Sequence, residues 1–415
     1  MGVVTRAKKR RLEEEEERLA DRISNLPDGV LGDIVSLLPT KDGACTQVLS
    51  SRWRHVWRSA PLNLDLDILA SANDISGILA THHGPGRRFA MPRRYKEYYY
   101  PTTATLEGWP WSPAQYYHYP TTATLDGWLR SPALDNLQEL EFRRSGLLPA
   151  SVHRFSSTLR VASFSGCSFP DGSNASSALC LPVLQQMTLL NVSISESSLH
   201  ALLAGCPILE SLLIDEFIHP RLQIVSCSLR SIGKRLLTGL DYITGSTVAS
   251  MTAVLPSVRV LSLSDVKLCL DAAVNLVKCF PRLERLYIKA QAVWLKDVSY
   301  LKCQKLIATL DIRVRKIVLV NYEGSKSHIN FVKLFVSNSR VLESLRLELA
   351  VKNVSDVWIA TQHKRLHIEK RASRGAQIDF VSPNISRRVN NVPPDDLLVA
   401  KQVHDLSTDP FQRFH

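Results

Sequence analysis

The chain has 415 residues, 45% of them hydrophobic and 22% charged, which suits a soluble globular protein of about two to three domains and excludes a disordered or fibrous chain. Its 51 Lys and Arg against 39 Asp and Glu give a net charge of +12, which admits acidic partners or nucleic acid but is equally a solvated surface. Eight cysteines, at 45, 167, 180, 206, 227, 269, 279 and 303, include no C-x-x-C pair, so the expectation is free thiols in the nucleus and/or cytoplasm and no metal site.

No apolar run is long enough for a membrane span. The opening "MGVVTR" has Arg6 where a myristoylation signal needs Ser or Thr. Residues 1–20 read as a charged N-terminal tail. Its Lys8 to Arg11 run is either a nuclear-import patch or a frayed terminus beside Glu13 to Glu17.

Residues 21–60 form a compact apolar module. On a helix over 28–38, Val30, Leu31, Ile34, Val35, Leu37 and Leu38 share an arc of about 160°, with Gly29, Gly32, Asp33 and Ser36 opposite. Asp28 is the expected N-cap and Pro39 the stop. A second short helix is expected over Lys41 to Leu49. A third starts near Ser50 or Ser51 and carries Trp53, Val56 and Trp57 on one face. Three helices in so short a stretch hold more apolar surface than they can hide from one another. The surplus must dock on the following repeats or on a separate protein.

Residues 61–133 read as an irregular linker rich in Pro, Gly, Tyr and Arg. It contains a tandem duplication: Tyr98 to Tyr116 and Tyr117 to Asp135 agree at 13 of 19 positions. The second copy is expected to lead into ordered structure and the first to be an extra loop, since loops lengthen at small cost. Arg87, Arg88, Arg93, Arg94 and Lys96, interleaved with Tyr95 and Tyr98, could instead bind nucleic acid.

From 134 to 370 a six-residue template recurs: apolar, two others, apolar, one other, apolar. It starts at Leu137, Leu159, Leu184, Leu209, Val258, Leu283, Val314 and Leu342, with several steps of 25 residues, and a weak unit is expected near "LRSIGK". Alternation inside each unit suits a short strand, and the intervals read as helix, for example the one capped by Ser195 and stopped by Gly205 or Pro207. A strand plus a return helix in about 25 residues marks a leucine-rich repeat, whose units share one continuous core. The repeats are irregular. The Asn or Cys expected after the last strand leucine is replaced by Val192, Phe217 and Val266, and only Cys167 fits. The outward positions Gln185, Glu210, Arg259, Glu284 and Glu343 could meet a partner or only solvent. Residues 371–415 read as a polar C-terminal tail.

Recognisable catalytic motifs are missing. "GKR" at Gly233 lacks the rest of a phosphate loop, and His363 and His367 in "HKRLH" read as a surface pair, with "LHI" as a possible last strand. No catalytic residue, cofactor or metal is expected.

The stretch from Ile23 to Leu66 resembles an F-box. The likeness rests on Leu26-Pro27, the helix through Ile34 and Leu37-Leu38, Val48-Leu49-Ser50, and Arg52-Trp53 with Trp57. "GWLRSPALDNLQELEF", "RFSSTLRVASFSGCSFP", "GCPILESLLI" and "VSNSRVLESLRL" are similar to the large plant family of F-box proteins with leucine-rich repeats, some with an FBD-type C-terminal region. The resemblance implies an α/β fold: a three-helix F-box, then an irregular leucine-rich-repeat solenoid. It also implies a non-enzymatic substrate-recognition subunit of a Skp–cullin–F-box ubiquitin ligase. Leu26, Pro27, Ile34, Leu37, Leu38, Val48, Leu49, Trp53 and Trp57 are then the candidates for the Skp-type adaptor, shared between contact and helix core, and the repeats would hold an unknown protein substrate. The alternative is an interaction scaffold whose basic solenoid binds nucleic acid or an acidic protein.

Overall fold

A computed structural model describes residues 23, 25–66, 72–91, 120–170, 179–215, 224, 226–235, 254–291, 310–351 and 354–382. They fall into two compact units, one within Met1–Phe142 and Pro149–Leu159, the other within Arg143–Leu148 and Arg160–His415. The tail 1–20, the first duplicated copy at 98–116, Arg93, Arg94, Tyr95 and Lys96, and residues 383–415 lie outside the described residues.

The first unit opens with α1 (Asp28–Ser36), α2 (Thr40–Cys45), a 3₁₀ turn (Thr46–Val48) and α3 (Ser51–Ser59). Three helices form as the sequence predicts, with two corrections. Pro27, not Asp28, precedes α1; Asp28 sits in the first turn, where Arg52 donates Nε–H to its Oδ1 at 2.8 Å. The expected second helix breaks after Cys45 into the 3₁₀ turn. Ser50 caps α3 by accepting from the Trp53 N–H at 3.4 Å.

Residues 61–133, expected to be irregular, carry regular structure: β1 (Leu62–Asp65), α4 (Ala72–Thr81), β2 (Gly86–Ala90) and α5 (Thr122–Leu129). Strands of four and five residues are too short to set a visible period. Helix α5 is built from the second duplicated copy. Thr121 caps it, and its Leu125, Trp128 and Leu129 are buried. With β3 (Glu139–Leu147), β1 and β2 pair in parallel.

The N-terminal helices are fastened to this sheet. Thr40 Oγ1 donates to the Asn63 carbonyl at 2.8 Å and accepts from the Asp65 N–H at 2.9 Å. The N–H groups of His83 and Gly84 both donate to the Arg58 carbonyl, at 2.8 and 3.0 Å, and His82 Nε2 lies 2.8 Å from the Ala60 carbonyl. Only glycine fits at 84, because a Cβ there would stand 2.0 Å from that carbonyl oxygen.

The second unit holds β4 (Val161–Ser168), β5 (Gln186–Leu190), β6 (Ser211–Asp215), β7 (Ser231–Arg235), β8 (Val260–Val266), β9 (Arg285–Ala290), β10 (Lys316–Tyr322), β11 (Ser344–Leu349) and β12 (Gln377–Val381). They pair in parallel in sequence order, an open repeat sheet. Helices α6 (Glu196–Ala204), α7 (Leu270–Cys279), α8 (Lys326–Asn338) and α9 (Asp356–Arg365) occupy the intervals, α6 capped by Ser195 as expected. Each template strand starts two residues after the leading apolar residue, and every leading residue from Leu159 to Leu342 is buried. The weak unit near "LRSIGK" is β7.

Strand β12 corrects the expected tail. Its residues are half-buried or exposed, so no apolar rhythm announces it. "LHI" is not a strand: Leu366 ends α9 and His367 is left-handed, at φ 56°.

Two devices replace the missing turn asparagines. Gly166, Asn191, Asp265 and Asn321 adopt positive φ at strand ends, a conformation these residue types tolerate. Each turns an apolar residue inward: Cys167, Val192, Val266 and Tyr322 are buried. At strand entries, one carbonyl accepts from two successive N–H groups of the next repeat. Arg259 O takes Glu284 N at 2.9 Å and Arg285 N at 3.0 Å; Glu284 O takes Arg315 N at 2.7 Å and Lys316 N at 3.1 Å. The chain spacing is thereby locked just before each strand.

Candidate functional site

Helix α1 splits its apolar arc between two environments. Leu31 and Val35 are buried together with Gly32 and Ser36, which the arc had placed on the far side. A Cβ on Gly32 would lie 3.6 Å from Ala60 Cα, so small residues let α1 approach the end of α3. That rotation leaves Val30, Ile34, Leu37 and Leu38 outside. Leu37 is 78% exposed, and in the 3₁₀ turn Val48 is 86% and Leu49 64% exposed. Ile23 is exposed too. The surplus apolar surface inferred from sequence is therefore real, and only part of it is used internally.

The nine candidates divide accordingly. Pro27, Ile34, Leu37, Leu38, Val48 and Leu49 are exposed, and Leu26 and Trp53 are half-buried. Trp57 lies in the core. It packs on Gly43 of α2 and meets the His82 ring edge-on at 5.6 Å. Burial lowers the His82 pKa, so the ring stays neutral against Trp57. Arg52 also donates to the Leu26 carbonyl, tying the Leu26-Pro27 segment to α3. Sequence reading had not singled out Val30 and Ile23 as site residues; both are apolar neighbours of the matched positions.

In the second unit the strands offer little open surface at their centres. Thr188, Ser262, Tyr287 and Val318 are all buried, so both strand faces are closed there. The charged residues just before the strands remain exposed and pair across repeats: Arg230 with Glu210 at 3.9 Å, Arg259 with Glu284 at 3.5 Å, and Arg315 with Glu343 at 3.1 Å.

Burial pushes the Cys167 and Cys206 thiols up to about 12, so neither ionises near neutrality. His363 stacks on Phe380 at 5.3 Å, and His367 Nε2 lies 3.1 Å from Lys333 Nζ. Among the described residues no cluster of three or more His, Cys, Asp or Glu could hold a metal ion, and no helix is long and apolar enough to cross a membrane.

Comparison with known proteins matches both parts. The family model of the F-box domain covers residues 23–65. The model described as "FBD-associated F-box protein At5g56370, LRR repeats" covers 125–239 and 233–288. The chain is 56% identical over 48 residues to F-box/FBD/LRR-repeat protein At5g22700 of Arabidopsis thaliana, 12% of this chain and 11% of that protein. It is 55% identical over 47 residues to F-box/LRR-repeat protein At3g58930 (11% and 10%) and 48% identical over 48 residues to putative FBD-associated F-box protein At3g12840 (12% and 26%), both of the same plant. These alignments span between about a tenth and a quarter of the relatives' lengths. The chain therefore carries an F-box domain at 23–65 and, over 125–288, leucine-rich repeats similar to those of FBD-associated F-box proteins.

Proposed function

We propose that this chain is the substrate-recognition subunit of a Skp–cullin–F-box ubiquitin ligase, its F-box gripping a Skp-type adaptor and its repeats holding a protein marked for degradation. One observation carries the reading: Leu37, Val48 and Leu49 stay exposed on a module whose core is already closed by Leu31, Val35, Val56 and Trp57. Exposed apolar side chains on a matched F-box suit burial by a second polypeptide. The chain then acts by position and not by catalysis. Holding a substrate near the ligase raises its effective concentration at the conjugating enzyme. The nucleus or cytoplasm is the proposed place of action, since a reducing compartment suits buried free thiols such as Cys167 and Cys206.

The scaffold alternative rests on the basic run from Arg87 to Lys96, of which Arg93, Arg94 and Lys96 lie outside the described residues. Arg88, one of its residues, is engaged by Asp65, Glu139 and Glu141 at 3.3 to 3.8 Å. Co-expression of the full chain with a Skp-type adaptor, followed by size-exclusion chromatography, tests the proposal. A stoichiometric complex lost in Leu37→Asp/Val48→Asp is expected. Failure of the folded wild-type chain to bind any Skp-type adaptor overturns it.

A further inference from the structure

The second unit contains a cleft of about 840 Å³ at the entries of β8, β9 and β10. Five arginines line it: Arg259, Arg282, Arg313, Arg315 and Arg340. Two carboxylates, Glu284 and Asp311, oppose them. Each acid is within reach of one guanidinium: Glu284 lies 3.5 Å from Arg259, and Asp311 2.7 Å from Arg313. Arg315 turns to Glu343 at 3.1 Å. Arg282 and Arg340 are exposed and have no ion-pair partner among the described residues. The lining thus carries a surplus of positive charge that its own acids do not neutralise.

The walls are built and not loose. Ser339, fully buried, donates its hydroxyl to the Val314 carbonyl at 2.8 Å, tying the end of α8 to the segment that carries Arg313 and Arg315. The Ala372 N–H donates to Val336 O at 2.9 Å on the far side. Arg259 and Arg315 occupy equivalent positions two strands apart, a separation on the order of 10 Å. A cleft of this size exceeds what one small inorganic ion needs and suits several residues of a chain. Guanidinium groups favour carboxylate and phosphate oxygens, which they bind in a planar fork.

We infer that this cleft is a docking site for an acidic peptide segment, carrying clustered carboxylates or a phosphorylated side chain, with Arg282 and Arg340 as its free anchors. The inference rests on the proposed receptor role only in making that peptide part of the substrate.

The test uses the full chain, two fluorescent probes (hexaglutamate and a glycine-serine hexapeptide bearing one phosphoserine) and a dodecathymidylate competitor. Fluorescence anisotropy is read for wild type, Arg282→Glu/Arg340→Glu, and the charge-matched control Arg87→Glu/Arg160→Glu outside the cleft. A loss of about tenfold or more in the cleft variant, with less than twofold in the control, is expected for at least one peptide, and which one distinguishes carboxylate from phosphate. Equal losses in both variants, no binding of either peptide by wild type, or tighter binding of the oligonucleotide through the same arginines would each overturn the inference. Should the glutamate variant melt early, Arg282→Ala/Arg340→Ala gives the same reading with less disturbance. Adaptor binding is measured on every variant. Its absence strikes the receptor role alone, while loss of cleft selectivity strikes this inference alone.

Discussion

Trp57 and Gly43 touch so closely that a Cβ on the glycine would stand 2.6 Å from Trp57 Cζ3. Helix α2 therefore lies flat against the ring that anchors α3, and the F-box core depends on the missing methyl.

Gly43→Ala is expected to destabilise the first unit. Alanine gains about 1 kcal/mol of helix propensity over glycine. Overpacking against a buried indole costs about 1 to 3 kcal/mol, and it should win. A lower urea midpoint for the variant is the expected readout; a higher one would mean that Trp57 moves aside freely.

Leu37→Asp and Val48→Asp separate surface from core. Both side chains are largely exposed, so each change should alter stability by no more than about 0.5 kcal/mol. Adaptor affinity should fall at least about tenfold for each, equivalent to about 1.4 kcal/mol. Trp57→Ala should do the reverse, removing a core ring at a cost of about 3 to 5 kcal/mol and losing binding only through unfolding. Circular dichroism melts alongside calorimetric titration with the adaptor distinguish the two patterns.

His328 should make the second unit acid-sensitive. Burial lowers its pKa from 6.5 to about 4, and its Nδ1 accepts from the Glu323 N–H at 3.2 Å. The unfolded chain binds the proton first. The histidine's contribution is thus complete above about pH 6.5 and is lost as pH falls from there toward about 4, amounting to about 3 kcal/mol. Unfolding free energies of wild type and His328→Gln at pH 7, 5.5 and 4.5 should converge as the pH falls. Parallel curves would show that the ring does not report the transition.

Gly324→Ala should be costly for two reasons at one position. Its φ of +69° is strained for any side chain, and a Cβ would stand 2.8 Å from Trp358 Cζ2 and 2.9 Å from the Gln362 amide. Gln362 is itself buried and accepts from the Tyr322 hydroxyl at 3.0 Å, so it has little room to yield. A loss of about 2 kcal/mol or more is expected, read as a lower thermal midpoint with the first unit's melting unchanged.

Much of this fold was legible because its signals are local. The leading apolar residues of the template mark strand starts from β3 to β11. Ser50 and Ser195 mark helix starts by the hydrogen bonds their hydroxyls accept. Strands β1 and β2 stayed hidden because four or five residues outside the template do not establish a period, and β12 because none of its residues is buried. A signal was present but unread at strand ends, where Gly166-Cys167, Asn191-Val192, Asp265-Val266 and Asn321-Tyr322 repeat one pattern: a residue that tolerates positive φ, then one that turns inward. At the candidate site, composition showed that α1 was too apolar. Which side faced outward depended on Gly32 meeting Ala60, a tertiary contact no helical wheel contains.

The bond pair from His83 and Gly84 to the Arg58 carbonyl leaves no hinge between α3 and the strands that follow it. Whatever clasps α1 and the 3₁₀ turn also aims β1 and β2, so orientation is inherited through rigid backbone. A truncated F-box ending at residue 60 would uncover Trp57 and Ala60 and behave as a sticky fragment. Point substitutions on the outer face are the sound way to test the proposed adaptor contact.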